Sequence, residues 1–304
     1  MEIGAFIEAN RQDLFDWGTL ICQKVSAAHG ALLKVPVAVR VKDPQSARAK
    51  QLKKAYADPT KEMTDLVGVR FVVLTSSDIT PIRTTIETSS VWAARQARDP
   101  ADEIERAPDT FGYQSHHYEL RPPNQPAGVL CCEVQVRTLL QHTIAELSHD
   151  AMYKATQGIP SQARRLVARS MALMETTDEL LCRAMEAVRE AAAPALAVQR
   201  VATEVTRTLG NVPASSVMED LLSAYASDID GTSAEGLRAF VSANDFILDR
   251  TRARSGEGIF CYPSAAIVSY WLVGKLEQSA IARWPFPGAK AELMKIYSDL
   301  GISV

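Results

Sequence analysis

The sequence predicts an α/β (α+β) domain followed by a mainly α-helical one, and three observations carry that expectation. Over the first half of the chain, short β-branched runs are interleaved with helix-like segments. Within those runs polar residues recur at every second position, as on one face of a sheet. Beyond Ser161 apolar residues return at intervals of about 3.5, the spacing of a long helix, and strand signals fade. The 304 residues, 47% of them hydrophobic, are enough for two cores.

An amphipathic N-terminal helix leads to "VPVAVRVK" (35–42), in which Val35, Val37, Val39 and Val41 alternate with Ala38, Arg40 and Lys42. Asp43 has the character of an N-cap and Pro44 that of a first helical residue, so this strand runs into the helix "PQSARAKQLKKAY". "LVGVRFVVL" (66–74) is nearly continuous apolar sequence around Arg70, as a central strand requires. The pattern then predicts a helix over 78–98, a polar connection over 99–110 and a strand over 111–120. "PPNQPAG" (122–128) turns the chain into "VLCCEVQVRT", where Glu133, Gln135 and Arg137 oppose Val134 and Val136.

A helix follows Thr138 to about Lys154, and a long helix runs from Ser161 to about Ala192. "AAAPALA" (191–197) marks the expected boundary. The predicted organisation is a first domain over 1–158, a connecting helix over 159–192 and a helical domain over 193–304. In the last of these, "IFCYPSAAIVSYWLVG" (259–274) is too short and too interrupted to span a bilayer and is expected as a buried helix.

A net charge of −3, from 33 basic and 36 acidic residues, argues against a general polyanion-coating protein. Five scattered cysteines without a C-x-x-C point to neither a disulfide framework nor a zinc site. The first thirty residues do not resemble a secretory signal. A cytoplasmic protein without membrane contact is the expectation.

The strand "FGYQSHHYEL" (111–120) has no clean apolar face. Together with Arg40, Lys42, Gly68, Arg70, Glu133, Gln135 and Arg137, its Tyr113, Ser115 and His117 suit the floor of a cleft better than a packed layer, because unpaired buried charges are costly. Ser46, Lys50 and Lys53 share one face of the helix after Arg40 and Lys42, an arrangement suited to phosphate or simply to water. Asp65 and Glu133 either pair with Arg70 and Arg137 or serve as the one or two carboxylates that Mg²⁺ takes beside substrate phosphates. Tyr113 and His117 are likewise open to a core reading or a ligand reading. Neither a P-loop nor a dinucleotide-binding glycine motif is present.

"RVKDPQSARAK", "DLVGVR", "GYQSHH" and "EVQVRTLLQHTIAELSH", in that order, resemble the synthetase domain of RelA/SpoT-type alarmone synthetases over residues 35–155, about 40% of the chain. The resemblance implies a nucleotidyltransferase-like mixed sheet flanked by helices, and Mg²⁺-dependent transfer of pyrophosphate from ATP to the 3′-hydroxyl of GDP or GTP. It assigns Arg40, Lys42, Ser46, Lys50 and Arg70 to ATP, and Asp65 and Glu133 to the metal, with Glu133 also accepting the hydroxyl proton. Tyr113, His117, Gln135 and Arg137 fall to the acceptor, while His116, on the other face from Tyr113, keeps a structural reading.

One stretch departs from that pattern. Phe111 stands where guanosine-specific members commonly have Asn, and the lead-in "RDPADEIERAPDT" is acidic where they carry lysines for the acceptor's 5′-phosphates. This resembles toxic small alarmone synthetases that modify the 3′ end of tRNA. For such an acceptor Lys154, Arg164, Arg165 and Arg169 are candidate RNA contacts. The C-terminal helices are expected to regulate, to build a homo-oligomer or to bind a protein partner.

Overall fold

The computed structural model describes residues 2–112, 114–124, 130–148, 159–209 and 216–303, the side chain of Ser148 excepted. The chain forms two compact units, Met1–Ala184 and Met185–Val304.

The first unit holds a five-stranded mixed sheet in the order β1-β2-β5-β4-β3. Its strands are β1 (Val39–Val41), β2 (Val67–Val73), β3 (Ala93–Arg98), β4 (His116–Arg121) and β5 (Cys132–Thr138). β2 and β5 are parallel and the other neighbours antiparallel. The helices are α1 (Ile3–Ala9), α2 (Arg11–His29), α3 (Pro44–Lys53), α4 (Pro59–Glu62), α5 (Ile79–Thr88), α6 (Pro100–Arg106) and α7 (Leu139–Ser148).

Strand alternation sorts the sheet into two faces. Val67, Val69, Phe71, Val73, Val134, Val136, Tyr118 and Leu120 are buried in one core with Leu14, Trp17 and Ile21 of α2 and Ile79, Ile82 and Ile86 of α5. α2 comes close enough that a Cβ on Gly18 would stand 2.5 Å from Val39 Cγ1 and 2.8 Å from Val67 Cγ1. The opposite face carries the polar residues in register: Arg40 beside Gly68, Gly68 beside Glu133, Arg70 beside Gln135, and Gln135 beside His117.

Several elements differ from the sequence reading. The helix expected over 78–98 ends at Thr88, and Ala93–Arg98 is an edge strand. Five of its six residues are exposed, so it lacks the apolar alternation that marks a strand. The connection 99–110 contains α6, which starts with the same Asp-Pro device as α3: Asp99 accepts from Ala101 N and Pro100 opens the helix. The strand expected over 111–120 begins only at His116.

α8 (Ser161–Val205) runs on through "AAAPALA" rather than stopping there. Pro194 removes one backbone donor, but the alanines on either side are the strongest helix formers and leave the turn uncrowded. In the second unit follow α9 (Ser216–Ala224), α10 (Ser233–Ala243), α11 (Phe246–Ala253), α12 (Pro263–Leu276), α13 (Ser279–Ala282) and α14 (Lys290–Asp299). α12 is buried continuously from Ala265 to Val273 among Leu221, Leu237, Ile247 and Leu293, as its all-round hydrophobicity demands. Among the described residues no helix is long and apolar enough to cross a membrane.

Candidate active site

The polar face of the sheet floors a cleft of about 420 Å³, lined by Arg40, Lys42, Asp65, Arg70, Glu133 and Gln135. Gly68 leaves the floor without a side chain between the strands of Arg40 and Glu133. His142 and Glu146 of α7 enter from above, and Val35, Pro36, Ala38 and Val72 supply apolar wall.

Asp43 accepts from Ser46 N at 2.9 Å, and Pro44 needs no donor partner, so α3 starts directly after β1. That start carries Lys42 and Lys50 to Asp65: both ammonium nitrogens lie 2.7 Å from its Oδ2. Burial pushes the Asp65 carboxyl up, but the two lysine bonds outweigh this and hold it below the ordinary aspartate value. Its Oδ1 is buried without a hydrogen-bond partner among the described residues. Ser46 and Lys53 are exposed on α3, and Ser46 does not line the cleft.

On the neighbouring strand, Glu133 meets His117 Nδ1 at 3.3 Å and accepts from Gln135 Nε2 at 3.2 Å. The His117 contact keeps its carboxyl low against burial and against repulsion from Asp65. The two carboxylates are therefore close enough to repel, and one has an oxygen lacking a donor. A divalent cation relieves both, so Asp65 and Glu133 fit Mg²⁺. Among the described residues no group of three or more His, Cys, Asp or Glu could hold a metal ion by itself.

The arginines resolve the alternative pairing of these carboxylates. Arg70 donates to Glu146 Oε1 at 2.7 Å, and Arg137, only 2% exposed, reaches the same oxygen at 3.2 Å and His142 Nδ1 at 2.7 Å. His142 and Glu146 escaped the sequence reading as site residues. Their i, i+4 spacing on the helix after β5 was the available signal, but nothing in it said which way that face pointed.

On the acceptor side, Tyr113 and Lys154 lie outside the described residues. His116 is on the face opposite His117, and burial pushes its pKa down to about 4, so beside Asp99 it is a neutral ring. Gln114 donates to Glu175 of α8 at 2.9 Å and accepts from Gln141 at 3.4 Å, which ties the chain before β4 to α8. Arg98 donates to both oxygens of Glu103. Arg164, Arg165 and Arg169 are exposed on the first turns of α8.

Asp178 of α8, 4% exposed, accepts from Thr138 Oγ1 at 2.7 Å, and burial raises its pKa. A raised carboxyl favours its protonated form in the fold, so its contribution is complete below the unfolded value of 3.8 and is lost as pH rises through the folded value. Asp178→Asn keeps an acceptor for Thr138 without the charge. It is expected to match wild type in unfolding free energy at acid pH and to exceed it by about 1 kcal/mol at neutral pH. A variant less stable at pH 7 than at pH 4, relative to wild type, contradicts this.

Residues 39–158 match a family model described as a region found in RelA / SpoT proteins. No curated protein matches the chain. Among solved structures, small alarmone synthetase 1 from Bacillus subtilis is similar at 21% identity and a TM-score of 0.51, over 61% of this chain and 97% of that one. The same protein bound to its product pppGpp matches with the same values. A GTP pyrophosphokinase family protein from Streptococcus pneumoniae matches at 19% identity and a TM-score of 0.50, over 62% of this chain and 94% of that one. The mixed sheet and its flanking helices thus have the fold of the small alarmone synthetases.

Proposed function

We propose, from the premise that the chain belongs through residues 39–158 to the RelA/SpoT family, that it is an ATP-dependent pyrophosphokinase acting on a nucleotide 3′-hydroxyl. The observation that carries the reading is Asp65: a carboxylate clasped by Lys42 and Lys50, with a buried oxygen that has no partner among the described residues, one strand away from Glu133. A metal and a polyphosphate together satisfy every group in that arrangement. The structure of a relative with pppGpp bound supports GDP or GTP as acceptor, giving (p)ppGpp and AMP.

In this reading Lys42 and Lys50 exchange Asp65 for the phosphates of ATP, Arg40 and Arg70 flank the nucleotide, and Ser46 stands at the α3 N-terminus. Asp65 and Glu133 would hold Mg²⁺, which would supply charge neutralisation for the donor's phosphates. Glu133 is ionised at neutral pH and takes the proton of the attacking 3′-hydroxyl. The new bond joins that oxygen to the β-phosphorus, the bond to the α–β bridging oxygen breaks, and AMP leaves with it. His117 and Gln135 orient Glu133 and the acceptor, and Arg137 holds the floor behind them.

A second acceptor, the 3′ end of tRNA, is favoured by the acceptor-side charges. Arg98 is engaged by Glu103, and α6 adds Asp102 and Glu105, a poor match for a free 5′-polyphosphate. A terminal adenosine brings none, and Arg164, Arg165 and Arg169 offer charge for its backbone. The helical region over 193–304 is assigned a regulatory or oligomerising role, in a cytoplasmic protein.

The test is transfer from γ-labelled ATP with Mg²⁺, offering GDP, GTP, ATP and deacylated tRNA in turn. Label in GDP or GTP supports the first acceptor and label only in tRNA the second. No transfer to any acceptor turns the assignment towards a nucleotide-binding interaction module. Tyr113→Ala is expected to raise the acceptor KM about tenfold or more, the worth of a lost stacking contact, with donor KM unchanged. An unaltered acceptor KM refutes the stacking role.

A further inference from the structure

We infer that His142 and Glu146 read the Hoogsteen edge of the donor's adenine, and so set which nucleoside triphosphate gives up its pyrophosphate. The inference rests on the pyrophosphokinase reading and adds to it the groups that choose the base. The cleft has a direction. Lys42 and Asp65 stand at the start of β2, while Val72, His142 and Glu146 stand towards its end. From Gly68 to Val72 the strand rises roughly 13 Å. A nucleotide whose phosphates lie at the lysines therefore carries its base to the far end, over Arg70 and against the apolar wall of Val35, Pro36, Ala38 and Val72.

At that end the hydrogen-bonding pattern is fixed by chemistry. A guanidinium only donates, so in the 2.7 Å contact with Arg137 the acceptor is His142 Nδ1. The ring proton of the neutral imidazole is then on Nε2, which has no partner among the described residues. Burial, with Arg137 and Arg70 beside it, lowers the His142 pKa and keeps the ring neutral. Both arginine bonds to Glu146 end on Oε1, and the carboxylate retains acceptor capacity on Oε2. One α7 face thus presents a donor and, one turn on, an acceptor that cannot donate.

Adenine's Hoogsteen edge offers the complement, an N7 acceptor beside an N6 amine donor, whereas guanine offers two acceptors, N7 and O6. Glu146 accepts from the adenine amine and repels the guanine carbonyl, and His142 Nε2–H donates to N7.

Calorimetry of the full chain with Mg²⁺ and the α,β-methylene analogues of ATP and GTP tests this. Wild type is expected to prefer the adenine analogue. His142→Ala should weaken that analogue about tenfold, and His142→Gln, which supplies an N–H donor, should restore most of it. Glu146→Gln keeps an oxygen that accepts from Arg70 and Arg137 but loses the charge that pairs with them, and that loss falls on both analogues alike. Its amide can donate to O6, so the preference itself should narrow about tenfold or more. An unchanged preference in Glu146→Gln, or unchanged adenine-analogue binding in His142→Ala, overturns the inference while leaving the donor site intact. Wild-type protein that binds neither analogue overturns the donor site and the inference with it.

Discussion

Asp65→Ala and Glu133→Ala are each expected to lower pyrophosphate transfer by about 10³-fold or more, with the fold retained. Neither side chain packs in the apolar core, and both line the cleft. The two variants should differ in binding. Without Asp65 the ammonium groups of Lys42 and Lys50 lose their counter-ion, so metal-free ATP should bind more tightly while transfer disappears. Without Glu133 that clasp survives, and binding should hardly change. Both carboxyls have depressed values in the fold, so whatever they add to stability is present above their unfolded values and lost as pH falls through the folded ones. Denaturation curves at pH 7 and pH 3 check this: any difference from wild type should shrink in acid. Unchanged turnover in either variant would remove that residue from the metal site.

The second large effect concerns packing. Gly18→Val is expected to destabilise the first unit by about 3 kcal/mol, the upper range for overpacking, and to lower its melting temperature by about 6–12 °C. Val39 and Val67 are short, stiff side chains on paired strands, and an added Cβ would meet their methyl groups at 2.5 and 2.8 Å. Relief requires α2 to move off the sheet. Since β1 carries Arg40 towards the cleft and leads directly to Lys42, donor affinity should fall with stability. A melting temperature within about a degree of wild type would mean that α2 does not seat where the structure has it.

Much of this site was legible because strand alternation is a strict geometric rule. Once "VRVK", "VGVR" and "EVQVR" were read as strands, Arg40, Arg70, Glu133 and Gln135 had to share a face, and they do. The Asp43-Pro44 start of α3 was equally legible, since a cap and a fixed φ act locally. β3 was not legible, because an exposed edge strand buries nothing that would impose a period. Nor were the partners of the charges. Whether Asp65 meets Arg70 or Lys50 depends on how a helix face is turned, which no local pattern encodes. Glu146, four residues after His142, carries no such signal in the sequence, and the structure places it on Arg70 and Arg137.

The parallel pairing of β2 with β5 bears on when the site comes into being. Gly68 lies beside Glu133 in that ladder, so the strands joined there are separated by the whole of α5, β3, α6 and β4 in the chain. Contacts of such long range close slowly, because the entropy of the intervening loop must be overcome before any reward. During synthesis the lysine clasp around Asp65 can form from the first quarter of the protein. The second carboxylate arrives only with β5. On the proposed reading, the groups assigned to phosphate are therefore all synthesised well before the second carboxylate, and transfer would wait on the last strand of the sheet.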